Sequence, residues 1–308
     1  MRSSVVVERP SSDADLPESA VDAGANFIST GSSSVAALAR GVRHSPTAIV
    51  GVLVLIFWIV CAIAWPWLAP YDPNQFHTAA RLQPPSTQFW FGTDQFGRDV
   101  FSRVLAGSRD ILIIAPLATL VGVVCGTCLG LVAGFYRGVL GEGVLRVMDA
   151  IMAFPVITLS LLVVAMLGPS VINVIMVIGL VFMPRVARVV YASSLSVREL
   201  NYVAAARLRG ESNRYILFGE ILPNITAPIV VESTVRIGYA VFASATLSFL
   251  GLGIPPPAAD WGLQIADART FLQSAPWTVL FPALAIASLV IAVNLVSDGL
   301  QANRGRTP

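Results

Sequence analysis

The chain has 308 residues, of which 55% are hydrophobic and only 12% charged, with a formal net charge of +2. Soluble domains carry roughly 25% charged residues, so this composition predicts an all-α polytopic membrane protein and argues against nucleic-acid partners. All 20 basic residues are Arg; with no Lys, the chain lacks the P-loop lysine of a standard ATPase site and any lysine nucleophile or Schiff base.

Residues 1–45 are rich in Ser, Ala and Asp with little periodicity, which predicts a disordered cytoplasmic tail. Ser32, Ser33 and Ser34 could open a short helix ending near Arg43. The first apolar run comes too late and is too long for a signal peptide. A spanning helix needs about 20 apolar residues, and the membrane domain at 46–308 offers six candidates. Span one is about 47–68 and span two 111–136, both uncharged. The uncharged stretch between Asp149 and Arg185 is too long for one helix, and Gly168-Pro169-Ser170 divides it into spans three and four. Span five runs from near Pro223 to Gly253, and span six covers 275–296.

Arg in short loops sets the orientation. With the N-terminus inside, Arg2, Arg9, Arg40, Arg43, Arg137, Arg146, Arg185, Arg188, Arg198, Arg207, Arg209, Arg214, Arg304 and Arg306 fall on the cytoplasmic side and its span ends. Arg81, Arg98, Arg103, Arg109 and Arg269 fall outside. Both termini are then cytoplasmic, 70–109 is an extracytoplasmic loop and 193–222 a cytoplasmic one. Span two carries Gly122, Gly126, Gly130 and Gly134, one ridge repeated every four residues. Small residues permit close backbone approach between helices in lipid, so the ridge marks packing within the subunit, with a subunit interface as the alternative. Cys125 and Cys128 form a C-x-x-C but sit in apolar surroundings, so they read as small helix residues rather than a redox or zinc motif. His44 and His77 are far apart, so no metal centre is expected.

Three segments stand out. The first is the polar island at 199–224, with Tyr202, Ala205, Ala206, Arg207, Gly210 and Glu211 before Pro223. Its Ala/Gly spacing clears a flat patch with a charged rim, and Pro223 is expected to stop this segment and begin span five. Composition alone leaves a solvated surface helix and a docking surface equally open. The second is the loop at 82–103, where Gly92, Thr93, Asp94, Gly97, Arg98 and Asp99 allow turns and local charge pairing. The third is Glu232 and Arg236 inside span five, at i and i+4 with Glu first, the better order for a pair on one face. Mutual neutralisation is the simpler reading. A cavity wall facing charged cargo is the sharper one.

The island resembles the cytoplasmic coupling loop of ABC importer permeases. Ala205, Ala206, Gly210, Leu222 and Pro223 fall in register with the family's motif, while Ala204 stands where that motif has Glu. The segment Phe91-Gly92-Thr93-Asp94-Gln95-Phe96-Gly97-Arg98-Asp99 resembles the external loop of the dipeptide/oligopeptide/nickel branch. Tyr71-Asp72-Pro73, Ala153-Phe154-Pro155, Ser248–Gly253 and Ser274-Ala275-Pro276-Trp277 match in order too, from Ser45 to Leu300. The resemblance implies a six-helix type I ABC importer permease fold in a bacterial inner membrane. It implies a homologous second permease, two cytoplasmic ABC ATPases that bind ATP and Mg, and an extracytoplasmic substrate-binding protein. It implies no catalytic residue or cofactor in this chain. Peptides, nickel chelates and haem are all cargoes of such relatives. A secondary transporter would need ion relays and repeats, of which Glu232 is the one deep acid found. A membrane scaffold that docks a signalling partner is the other alternative.

Overall fold

The computed structural model describes residues 45–136 and 138–302. The predicted tail, up to residue 44, and its short helix lie outside the described residues. Nine helices are described: α1 (Pro46–Leu68), α2 (Val100–Phe135), α3 (Val139–Met152), α4 (Val156–Leu167), α5 (Val171–Arg198), α6 (Asn201–Leu208), α7 (Asn213–Phe249), α8 (Trp261–Ala268) and α9 (Trp277–Ala302). No strand occurs among the described residues.

Five of these, α1, α2, α5, α7 and α9, are long and apolar enough to cross a membrane. The expected third span is different. It is a broken pair, α3 and α4, bent by 89°. Pro155 is the cause: it has no N–H to donate and its ring disfavours a helical residue before it, so α3 ends at Met152 and α4 restarts at Val156. With 12 residues, α4 is about 18 Å long, too short to span alone. Gly168 and Ser170 end it as the sequence predicts. The Ser170 hydroxyl caps α5 by accepting from the Asn173 amide at 3.1 Å.

Two other boundaries move. Span two starts at Val100, not near 111, because Asp99 caps the helix there: its Oδ2 accepts from the Ser102 amide at 2.8 Å. The last ten residues of the predicted outer loop are therefore helix. Pro223 does not stop the island either. It lies within α7, which runs unbroken from Asn213. A π turn at Ile216–Ile221 precedes it, in which the Leu222 amide donates to Leu217. The wider turn absorbs the proline, whose ring would clash with the carbonyl four residues back in a regular helix.

The core is built on α2 and α5, which run side by side in the same direction through the glycine ridge. A Cβ at Gly126 would lie 2.7 Å from the Met183 carbonyl oxygen, and one at Gly130 would lie 2.4 Å from that of Ala187. The ridge is thus a packing face within the subunit. α1 crosses α9 by the same device, with Gly51 against the Ala292 carbonyl and Gly299 against Ala48. Trp58, Ile111, Ile114, Ile178, Phe182, Leu247, Trp261 and Leu289 share the main buried cluster. The opposite side of α1 leaves Leu53, Phe57, Val60 and Ile63 exposed, as a lipid-facing helix must.

Candidate functional site

The island folds as a short helix, α6, hung between two spans. Its end is a Schellman motif: the Glu211 amide donates to Ala206 at 3.2 Å and the Gly210 amide to Arg207 at 3.0 Å. The motif requires a left-handed residue, and Gly210 supplies it with φ of 79°. Val203 and Ala206 face inward, packed with Leu131, Val190, Ile216 and Ile221. Ala206 is therefore core and not part of a docking face, a correction to the flat Ala205/Ala206/Gly210 patch. Helical periodicity forces this, since Val203 and Ala206 are three apart and lie on one side. Ala204, Ala205, Arg207 and Gly210 are exposed, Tyr202 and Glu211 half-buried. Leu208, which sequence reasoning passed over, is 90% exposed.

α6 is wired to the ends of α2, α5 and α7. The Arg207 guanidinium lies 5.5 Å from the Phe135 ring centroid. Arg209 reaches Glu211 at 3.7 Å and Glu220 at 3.8 Å, the latter in the π turn. Arg198 donates to the Gly134 and Phe135 carbonyls, both at 2.9 Å, capping the C-terminus of α2 with the charge its dipole favours. Burial, and then Glu220, push the Tyr202 phenol above its ordinary pKa. α6 thus touches three spans at once. Pro223 lies beyond it in α7 and is exposed.

The outer loop is a buried polar knot. Thr93 and Asp99 form an antiparallel bridge. Asp94 Oδ1 accepts from the Phe96 and Arg98 amides at 2.8 and 2.9 Å, and its Oδ2 takes the Arg98 Nε at 2.6 Å. The Thr93 hydroxyl donates to the Ala80 carbonyl. Gly97 is left-handed at φ 77°, and a Cβ there would lie 2.1 Å from the His77 carbonyl oxygen. A Cβ at Gly92 would lie 2.6 Å from both the Gln83 carbonyl oxygen and Trp277 Nε1. All six singled-out loop residues are buried, so local pairing describes the loop as folded.

Beneath the knot lies a network that the sequence did not advertise. Arg103 is 1% exposed. Its Nη1 donates to the Pro73 carbonyl at 3.0 Å and its Nη2 to that of Ala258 at 2.9 Å, joining the two outer loops. The Trp261 indole donates to the Val104 carbonyl at 2.8 Å. Asp260 caps α8 through the Leu263 amide at 2.9 Å. Burial raises the Asp260 carboxyl to about 6, against the opposite pull of that same amide.

Glu232 and Arg236 form a direct pair: Arg236 Nε and Nη2 lie 2.6 and 2.5 Å from the same Glu232 Oε1. The Arg236 guanidinium also lies 5.9 Å from the Phe182 ring centroid and 5.3 Å from that of Tyr239. The two side chains are only 10% and 17% exposed. Stranding one partner of a buried pair costs about 3–5 kcal/mol, whereas removing both is far milder. Glu232→Gln or Arg236→Gln should each lower the yield of folded subunit, and the double variant should recover most of it and transport normally. A double variant that folds but does not transport would instead place the pair against the cargo.

Among the described residues no group of His, Cys, Asp and Glu is arranged to hold a metal ion. Residues 126–306 match the family described as binding-protein-dependent transport system inner membrane component. Residues 38–85 match that described as the N-terminal TM domain of oligopeptide transport permease C. The chain is 40% identical over 262 residues to a dipeptide transport system permease protein of Alkalihalophilus pseudofirmus, covering 85% of this chain and 86% of that one. It is 37% identical over 264 residues to a di/tripeptide transport system permease protein of Pseudomonas aeruginosa, covering 84% and 87%. It is 39% identical over 263 residues to a glutathione transport system permease protein of Pectobacterium atrosepticum, covering 85% and 87%.

Proposed function

The chain belongs to the family of binding-protein-dependent transport system inner membrane components, and on that premise we propose that it is one membrane-spanning subunit of an ATP-driven importer of di- and oligopeptides. The observation that carries the mechanism is α6: a capped helix with an exposed Ala205/Leu208 face, joined by specific contacts to α2, α5 and α7. Two cytoplasmic ABC ATPases bind ATP and Mg and dock on α6 and on its counterpart in a homologous second permease. An extracytoplasmic binding protein delivers the cargo. This chain itself is not an enzyme. Closure of the ATPases binds one state of the permease better than the other, and that difference drives the spans between inward- and outward-open forms. The names of the similar permeases, which include dipeptide, di/tripeptide and glutathione transport, support peptide cargo over nickel chelates or haem.

The reading requires a bacterial inner membrane with both termini and α6 in the cytoplasm. Thr93 is buried and cannot report on this, but Thr87 is exposed. In a background lacking Cys61, Cys125 and Cys128, Thr87→Cys should react with an impermeant thiol reagent from outside. Asn213→Cys, exposed at the start of α7, should react only after permeabilisation. The reverse pattern would overturn the topology and the docking role of α6 together.

A further inference from the structure

The charges within the spans are not all neutralised. Arg236 has Glu232, and Arg188 is paired with Asp149. Arg185, which the sequence places at the cytoplasmic end of its span, instead lies near the middle of α5 because the helix runs on to Arg198; it has no hydrogen-bond or ion-pair partner among the described residues. It stands about 21 Å along the axis from Val171, at about 1.5 Å per residue. Phe182 is one turn away and carries the Arg236 guanidinium over its ring. Arg185 therefore lies at the depth of the Glu232–Arg236 pair. A lone guanidinium at that depth is costly unless it faces water or a partner.

What it faces is a concavity of about 300 Å³. Its walls are the bend at 151–156, Val181 and Arg185 itself, whose side chain is exposed there. The bend is where the helix breaks between α3 and α4, by 89°. Broken backbone at membrane depth is tolerated where it is buried in protein or lines a water-filled cavity, and such breaks are used for binding in other transporters. One turn below Arg185, the Arg188–Asp149 pair ties α3 to α5 beside the break. A hollow of this size, bearing one uncompensated positive charge, suits a small ligand with one carboxylate.

We propose that Arg185 is a cargo-binding residue of the translocation pathway and takes the terminal carboxylate of the passing peptide. The inference rests on the peptide-import reading above and adds the group that holds the cargo within the membrane. The planar guanidinium can donate two parallel hydrogen bonds to a carboxylate. A hydrogen bond to a charged group contributes enough for about a ten- to hundredfold preference over a neutral ligand.

The test uses the complete complex in vesicles, with radiolabelled alanylalanine and its C-terminal amide each supplied at saturation of the binding protein. The wild-type complex should move the free acid in preference to the amide. Arg185→Gln should assemble and keep binding-protein-stimulated ATP hydrolysis. Its uptake of the free acid should fall at least about tenfold, with amide uptake changed by less than about twofold. Arg185→Lys, which keeps the charge, should restore most of the free-acid uptake. An equal fall for both peptides would overturn the assignment. Failure of Arg185→Gln to assemble would overturn it too, by showing that the arginine pairs with a neighbouring subunit. A wild-type complex that moves neither peptide would refute the peptide reading itself, and is told apart by needing no variant.

Discussion

Gly130→Leu should remove nearly all folded subunit from the membrane, whereas Gly143→Leu should leave its yield unchanged. Both glycines are helical, so the loss of conformational freedom is similar and only the surroundings differ. A Cβ at Gly130 would lie 2.4 Å from the Ala187 carbonyl oxygen and 2.7 Å from the Val190 Cβ; at Gly143 it would meet nothing within 4 Å. At Gly130 the obstacle is backbone, which cannot rotate away. Overpacking costs about 1–3 kcal/mol where side chains can adjust, and more where they cannot. No hydrophobic drive exists in lipid to press the helices together despite the clash. Gly126→Leu should behave like Gly130→Leu, since its Cβ would also meet a carbonyl oxygen, that of Met183, at 2.7 Å. Detergent-extracted yield and thermal stability measure this. Normal yield with altered cargo selectivity would mean that the ridge lines a pathway instead of a helix contact.

The second large effect is expected at α6. Ala205→Trp and Leu208→Glu should leave insertion intact but reduce binding-protein-stimulated ATP hydrolysis about tenfold or more, the scale of a lost interface anchor. Both residues are exposed and helical, so neither change strains the subunit by itself. That makes them cleaner probes than Gly210, where φ of 79° disfavours any side chain whatever docks there. Gly210→Trp should uncouple as well, with some loss of stability on top. Unchanged stimulation in assembled Ala205→Trp complexes would remove the docking role from this face.

Much of this architecture was legible because lipid restricts the choices. Uncharged runs of sufficient length had to be helices, and the helix break at Gly168–Ser170 followed from φ freedom and a missing N–H. The glycine ridge was readable as a contact face, although its partner helix was not. The errors came from local chemistry that overrides composition. Asp99 caps α2 and makes helix of ten residues that the sequence reading placed in the outer loop. Pro155, in an apolar run, broke a span that hydropathy counted as whole. Pro223 looked like a terminator but is accommodated by a π turn. In the island, spacing singled out Ala205 and Gly210, which are exposed, together with Ala206, which is buried, because its inward face was not separated from its outward one. A Val203/Ala206 pair three residues apart was the available signal. Arg103 was only one of many arginines. Its bonds to Pro73 and Ala258 depend on what surrounds it, which no spacing encodes.

ATP hydrolysed on partners docked at α6 is proposed to drive this subunit. Uptake of a labelled dipeptide should be measured in vesicles holding the complete complex and its binding protein, with ATP alone and with an imposed proton gradient alone. Uptake should require ATP, stop when α6 is altered at Ala205 or Leu208, and not respond to the gradient. Uptake sustained by the gradient without ATP would contradict it and make the chain a secondary transporter.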